Sequence, residues 1–393
     1  MLLNLVLNFI IMTEKIKAIK EILVINKRVI IFQPSSIHIE VIRPQLDFLI
    51  NHYDVTVVTT RDIAQADTFS IFKKNKSIRF SLIPVFKGFS GSPQCTRLFR
   101  YLALFSLLFR KADYIIFNTL SKRDLYFSRI LKKRAELFGI IHNVDKFTGN
   151  LLPYLTHFKR IFVLSDEVYN YCLDKNLFDR ESNKLFWFIP LLKDLVDFNS
   201  DYQIEDMSGP ITIAIVGSVS QERRDYNSLW KSLGTIIEDR GDCHTRLKIR
   251  LVGRMSKEVE KTIPGEIIPM LEYSTFYLPF EELNRQILSA DLIAYLIHPG
   301  MTYGSDYNKT KITGTSTILK SVPILPVSSD SFAMDLTYKD IAFYYPESDI
   351  LSFFNKILDG SITREELNKR RLYINIHDYS FEKQRELYLS SFK

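Results

Sequence analysis

An α/β protein of two Rossmann-like domains facing each other across a cleft is the fold the sequence predicts, and three observations predict it. Short apolar runs rich in Ile, Leu, Val and Phe alternate with amphipathic stretches, the pattern of buried strands separated by helices. The alternation halts at FNSDYQIEDMSGP (198–210), a polar, turn-rich linker, and then resumes. The 393 residues suffice for two full cores, and a composition of 46% hydrophobic and 25% charged residues excludes a disordered chain. Domains are therefore expected at 1–200 and 210–378, with a separate final segment at 379–393.

The opening MLLNLVLNFII is apolar over only eleven residues and has no basic residue before it. It is too short to span a bilayer and lacks the layout of a cleavable signal, and Met12 offers an alternative start. A helical lead-in near 13–23 precedes the strand RVIIFQPSS (28–36), a helix over HIEVIRPQLDFLINHY and the strand DVTVVTT (54–60), which together form a β-α-β unit. FSLIPVF is a further strand and GFSGSP a turn. TRLFRYLALFSLLFRK (96–111) is apolar nearly all round, so it reads as a core helix lying on the sheet. Its other reading is a membrane-docking element, because Arg97, Arg100, Arg110 and Lys111 mark its ends and Lys122, Arg123, Arg129, Lys132, Lys133 and Arg134 follow. The strands DYIIFNTL, FGIIHNV and RIFVLS come next in rhythm, and KLFWFIPLL (184–192) closes the first half. The second half repeats the architecture with ITIAIVG (211–217), LKIRLVG (247–253) and DLIAYLI (291–297).

Charge is unevenly spread. Residues 1–200 hold 29 Lys and Arg against 18 Asp and Glu, whereas the remainder holds 23 against 27. A basic first half suits an anionic partner such as a membrane surface, a phospholipid-linked substrate or nucleic acid, or else is a solvated surface. Nucleic acid is the weaker choice, since the aromatic residues fall within apolar runs rather than among the charges. Cys95, Cys172 and Cys243 are far apart and in no CxxC pattern, which argues against a disulfide framework or a zinc site and fits a reducing cytoplasm. Walker A, GxGxxG, HExxH and GxSxG patterns are absent, which weakens ATPase, dehydrogenase, zinc-protease and hydrolase readings.

The most informative stretch is NKTKITGTSTILKSVPILP (308–326). It predicts a polar loop bearing Lys309 and Lys311, a short helix opening at Gly314 and running through Leu319, and an extended segment from Val322 to Val327. Free N–H groups at Gly314, Thr315 and Ser316 with two lysines upstream would suit an anion. The plainer reading makes Thr313, Thr315 or Ser316 a simple helix cap. Gly217 and Gly253 each end an apolar strand, where a small residue lets a ligand approach the backbone, and Arg223, Arg224 and Arg254 follow directly. A diphosphate explains this set of positive strand ends. In the first half, His38 and His142 both stand where a strand gives way to a loop, the edge at which such folds gather ligands.

The two-halved layout, VGSVSQERRDY, the LVGR strand end and KITGTSTILKSVPILP together resemble a glycosyltransferase of the GT-B fold, of the family 4 or group 1 type. IIHNV, RIFVLSDEV and the tail YSFEKQRELYLSSF sit where that fold would have them, so the resemblance spans nearly the whole chain. It implies that the second domain holds a nucleotide-sugar donor, the first holds the acceptor, and the last helix crosses back to the first domain. Gly217 would approach the diphosphate, Arg224 would offset its charge, Lys309 or Lys311 with the Gly314–Ser316 amides would complete the cradle, and His142 would be the cleft histidine faced by His38. Many retaining members carry two glutamates eight positions apart; counting back from Pro323, those places hold Asn308 and Ser316. The departure leaves the ribose contact and the retaining assignment without support.

Transfer from a nucleotide-diphosphate sugar leaves negative charge on the departing phosphate. No Asp-x-Asp motif is present to carry a divalent metal there, so the arginines and lysines would supply the charge and no metal or other cofactor is expected. An inverting reaction also needs a base, for which His142 and His38 are the candidates, with Glu40 and Asp145 behind them. The expected acceptor is a polysaccharide or lipid-linked oligosaccharide, reached from the cytoplasm with peripheral contact to an anionic membrane. Two rivals stand beside this reading: a nucleotide-sugar epimerase on the same fold, and a non-catalytic membrane- or nucleic-acid-binding protein with a degenerate cleft.

Overall fold

The computed structural model describes residues 27–83, 93–147, 149–197, 209–241, 243–276, 278–302, 304–332, 334, 337–374 and 379–393. The apolar opening, the helical lead-in, most of the GFSGSP turn and most of the 198–210 linker lie outside the described residues.

Two parallel sheets form, as expected. The first contains β1 (Arg28–Gln33), β2 (Asp54–Thr59), β3 (Ile78–Leu82), β4 (Tyr114–Phe117), β5 (Glu136–Ile140), β6 (Arg160–Val163) and β7 (Leu185–Trp187), in the order 3-2-1-4-5-6-7. The second contains β8 (Ile211–Val216), β9 (Leu247–Val252), β10 (Leu271–Tyr273), β11 (Leu292–Ala294), β12 (Leu325–Ser329) and β13 (Phe343–Tyr345), in the order 10-9-8-11-12-13. Central strands have helices on both faces, so their side chains are apolar without alternation; every residue of YIIF in β4 and of ITIAIV in β8 is buried. The three-residue strands β10 and β13 lie at the two edges of their sheet and were not expected from the sequence.

Helices start where side chains can satisfy their first amides. Ser165 accepts from the Val168 N–H at 3.2 Å and opens the helix Asp166–Asp174, and Asp225 accepts from the Ser228 N–H at 3.1 Å and opens Tyr226–Asp239. The helix Pro93–Leu107 buries Ala103, Leu104 and Leu107 against the first sheet and leaves Tyr101, Leu102 and Phe105 exposed, so it is a core helix with an apolar outer face. Arg100 is turned inward, pairing with the buried Asp124 at 2.5 Å.

The last helix, Phe381–Ser390, packs on the first domain, as the GT-B resemblance implied. Phe381, Tyr388 and Phe392 belong to the same apolar cluster as Phe48, Phe162 and Phe188, with the Tyr388 ring 4.8 Å from Phe188 and 5.1 Å from Phe162. Further contacts join the halves. Lys320 of the second domain, 1% exposed, reaches Glu167 at 3.0 Å and Asp166 at 3.4 Å in the first and lies 4.6 Å from the Tyr379 ring. The guanidinium of Arg43 stacks on Phe280 at 4.1 Å. Among the described residues, no helix is long and apolar enough to cross a membrane.

Candidate active site

Each sheet reverses its winding once, between β1 and β4 in the first domain and between β8 and β11 in the second. Chains leaving the carboxyl ends on either side of such a reversal diverge and open a crevice. The residues singled out in the sequence collect at these two crevices.

In the first domain, β1 runs into a turn in which His38 adopts φ 62°, a left-handed conformation uncommon for a residue with a side chain. The turn is held by side chains beneath it. Asn118, just past β4, donates from Nδ2 to the His38 carbonyl at 2.9 Å and to Gln33 Oε1 at 2.7 Å. Gln33 Nε2 donates to the Ile37 carbonyl at 2.7 Å and also to that of Ser35. Asn118 Oδ1 accepts from Gln45 Nε2 at 2.5 Å, and Gln45 Oε1 accepts the hydroxyl of Tyr388 at 3.0 Å. A continuous hydrogen-bonded path therefore links the returning C-terminal helix to the His38 turn.

His142 follows β5 and stacks on His38, with ring centroids 3.7 Å apart and planes inclined by 10°. Its Nε2 donates to the Asn118 carbonyl at 2.7 Å, which leaves Nδ1 with the lone pair. Burial first, and then the neighbouring His38, push the His142 imidazole down to about 3, so it stays neutral at physiological pH. His38 Nδ1 lies 3.2 Å from Glu40 Oε1; donating there fixes the tautomer that offers Nε2 as the acceptor. The stack thus presents imidazole lone pairs oriented by a carboxylate and a carbonyl.

In the second domain the chain leaves β8 through Gly217 at φ 111°. A Cβ at Gly253, past β9, would collide with the Gly217 carbonyl, so both positions require glycine. Arg224 reaches back to this strand end. The residue is 6% exposed, and its guanidinium donates to the Ser218 carbonyl at 2.9 Å, the Val216 carbonyl at 2.5 Å and Thr315 Oγ1 at 3.1 Å. The helix Gly314–Leu319 forms where expected, and Thr313 is its cap, accepting from the Ser316 N–H at 2.9 Å. Thr315 and Ser316 turn inward: Thr315 donates to the Val216 carbonyl at 3.2 Å, and Ser316 Oγ meets Tyr295 at 3.1 Å and Thr313 at 2.9 Å. Arg224, Thr315 and Ser316 therefore brace the crevice floor, while Gly314, Lys309, Arg223 and Arg254 are exposed above it.

Lys311 is largely covered, pairing with Asp306 at 3.2 Å and lying 4.7 Å from the Tyr307 ring. Burial lowers its pKa, Asp306 opposes that, and the positive charges of Lys146 and Arg223 lower it further. Lys146 also lowers His142, so the first-domain histidine and the second-domain lysine share one electrostatic neighbourhood. The backbone joins them too: Val144, two residues past His142, donates its N–H to the Thr310 carbonyl at 2.9 Å. The site residues that sequence reasoning missed are Gln33, Gln45, Asn118, Tyr388, Lys146 and Asp306. Only Asn118 and Gln33 carried a signal, as polar residues ending apolar strands.

No family model matches this chain, and no curated protein matches it. Solved structures do. A trehalose-6-phosphate structure from E. coli bound with UDP-2-fluoro glucose superposes with a TM-score of 0.58 at 12% identity, covering 92% of this chain and 98% of that one. HepE of Anabaena, in complex with UDP, gives 0.57 at 10% identity over 93% and 99%. An α,α-trehalose-phosphate synthase (UDP-forming) from Burkholderia xenovorans, in complex with glucose-6-phosphate, gives 0.61 at 10% identity over 93% and 100%. The likeness at this level is one of fold, and it extends across both domains.

Proposed function

We propose that this protein is a glycosyltransferase that takes a sugar from a nucleotide-diphosphate donor, without a metal, and passes it to a glycan or lipid-linked acceptor. The observation that carries the reading is the convergence of the two crevices, where the His38–His142 stack and the Lys311 loop meet through Val144 and Thr310. The UDP and UDP-sugar held by the structural neighbours support uracil as the donor's base. In this reading the second domain binds the diphosphate over Gly217, Gly253 and the Gly314 amide, with Lys311, Lys309, Arg223 and Arg254 offsetting charge. The bond between the anomeric carbon and the phosphate oxygen breaks, its electron pair leaves with the diphosphate, and the acceptor oxygen forms the new bond. The acceptor proton passes to the imidazole lone pair of His38 Nε2, where the stereochemistry inverts, and the neutral His142 ring stacks against that base. Oriented cations at the departing charge are the main source of acceleration such a site offers.

Thermal-shift titration with UDP, GDP, CDP, dTDP and ATP tests the donor side. A ligand at a hundred times its dissociation constant stabilises a fold by about 2.7 kcal/mol. The expected result is a response to UDP, followed by sugar transfer from a UDP-sugar that persists in EDTA. No response to any nucleotide overturns the reading, and a new sugar formed from donor alone favours the epimerase.

We further propose that the first domain lies against an anionic membrane. Tyr101, Leu102, Phe105 and Phe109 on one helix and the loop that follows it, with Tyr126 and Ile130 on the helix Lys122–Leu131, are exposed beside Lys122, Arg129, Lys132, Lys133 and Arg134. Exposed apolar groups among cations suit an acidic bilayer interface. Salt-sensitive co-sedimentation with acidic vesicles is the expected result, and equal binding to neutral vesicles overturns it.

A further inference from the structure

At the end of the first sheet away from the cleft, a cavity opens against one face. Strand alternation puts Arg28 and Ile30 of β1, Asp54 and Thr56 of β2, and Arg79 of β3 on that face, in register Arg28 to Asp54 and Ile30 to Thr56 to Arg79. In a doubly wound sheet a helix covers such positions and they are apolar. The helix Pro93–Leu107 covers Ile30, Phe32 and Val58 and then ends. Below it lies a cavity of about 300 Å³ lined by Arg28, Asp54, Thr56, Arg79, Arg110 and Lys111, among others, with four cations against one carboxylate. Asp113 borders the cavity through the Arg28 amide, from which it accepts at 2.7 Å. Arg110 and Lys111 also offset the carbonyls at the helix end, but Arg79, exposed on the edge strand β3, has no such duty.

An apolar stripe leads along the chain into the cavity lining. Leu102, Phe105 and Phe109 recur at helical spacing, Phe109 is 75% exposed, and the next residue, Arg110, lines the cavity. We propose that the cavity takes the phosphate of an anionic phospholipid headgroup while Phe105 and Phe109 enter the interface beside it. Two features commit it to lipid: four cations line one recess, and the exposed rings of Phe105 and Phe109, packed edge-on 5.1 Å apart, stand beside it. The site rests on the membrane contact proposed above and is independent of sugar transfer.

Flotation of the full chain with phosphatidylcholine vesicles, with and without phosphatidylglycerol, tests it. The expected result is binding that needs phosphatidylglycerol and falls at least about tenfold in the Arg79→Glu/Arg110→Glu pair. A Lys132→Glu/Lys133→Glu pair, with the same change in net charge, falls less. Phe105→Ser/Phe109→Ser weakens binding to the same vesicles. Arg79→Gln/Arg110→Gln repeats the test if the charge reversals alter the far-UV spectrum or melting temperature. Pocket variants that bind like the native chain overturn the site and leave the membrane reading standing. A native chain that ignores acidic vesicles overturns both, and stabilisation by inorganic phosphate without vesicle binding assigns the cavity to a free anion instead.

Discussion

The two crevices share a topology and differ in how their functional groups are made. On the first-domain side the groups are side chains, and a layer of amides holds them: Asn118 grips the His38 carbonyl and receives His142 Nε2, while Gln33 and Gln45 grip Asn118. On the second-domain side the bracing side chains point inward, with Arg224 and Thr315 both bonded to the Val216 carbonyl, and what faces the cleft is backbone, lysine and the exposed Arg223 and Arg254. A parallel sheet guarantees a crevice; whether it offers lone pairs or positive charge depends on which residues end its strands. The first side suits proton transfer and the second suits an anion.

The largest expected effect separates these roles. His38→Ala should lower kcat by about 10²–10⁴-fold and leave the UDP dissociation constant unchanged, and His142→Ala, which removes the ring stacked on it, should lower kcat by less. Lys311→Ala should do the reverse, weakening UDP with a smaller change in kcat. Kinetics beside nucleotide titrations read this directly; unchanged turnover in both histidine variants breaks the comparison. The next effect is on stability. Arg224→Ala leaves the Ser218 carbonyl without its Arg224 donor and the Val216 carbonyl with Thr315 alone, a loss of about 1–3 kcal/mol by denaturant melt. A variant as stable as the native chain would show that Arg224 serves the ligand rather than the floor.

Proton linkage sharpens the contrast further. The His142 imidazole is held at about 3 in the folded chain against an ordinary 6.5, so below pH 6.5 the unfolded chain binds a proton that the folded chain refuses. Stability from this group is complete above about 6.5 and declines as pH falls toward 3. Melting curves of the native chain and His142→Asn across that range should converge as pH drops, and parallel curves would show that His142 titrates normally.

Much of this was legible in the sequence because it depends on local pattern. The apolar runs that became β1, β4, β5 and β8 are largely buried, and the ends of β1, β5 and β8, at His38, His142 and Gly217, stand at the two crevices. The helix at Gly314 was legible from its Thr cap and the small residues that follow. The inward turn of Arg224 and Thr315 was not, because it depends on a strand end 99 residues away from Thr315. An arginine after a strand reads the same whether it faces a phosphate or a carbonyl. The amide layer under His38 was hidden for a similar reason: Gln45 lies on a helix whose apolar period it interrupts, and its partners come from β4 and from the last helix.

The smallest expected effect tests that layer most specifically. Tyr388→Phe keeps the ring in its aromatic cluster beside Phe162 and Phe188 and removes only the hydroxyl, which donates to Gln45 Oε1. Burial raises the Tyr388 pKa well above its usual 10, so the hydroxyl remains a donor throughout the working range. Its loss leaves a buried amide oxygen unpaired, at a cost of about 1–3 kcal/mol, and frees Gln45 to rotate away from Asn118. If the path positions His38, kcat should fall severalfold with the KM for donor unchanged, although the altered atom lies in the helix that returns from the other domain. If kcat holds while stability falls, the path is packing alone, and the first-domain crevice owes its geometry to Asn118 and Gln33 without help from the C-terminal helix.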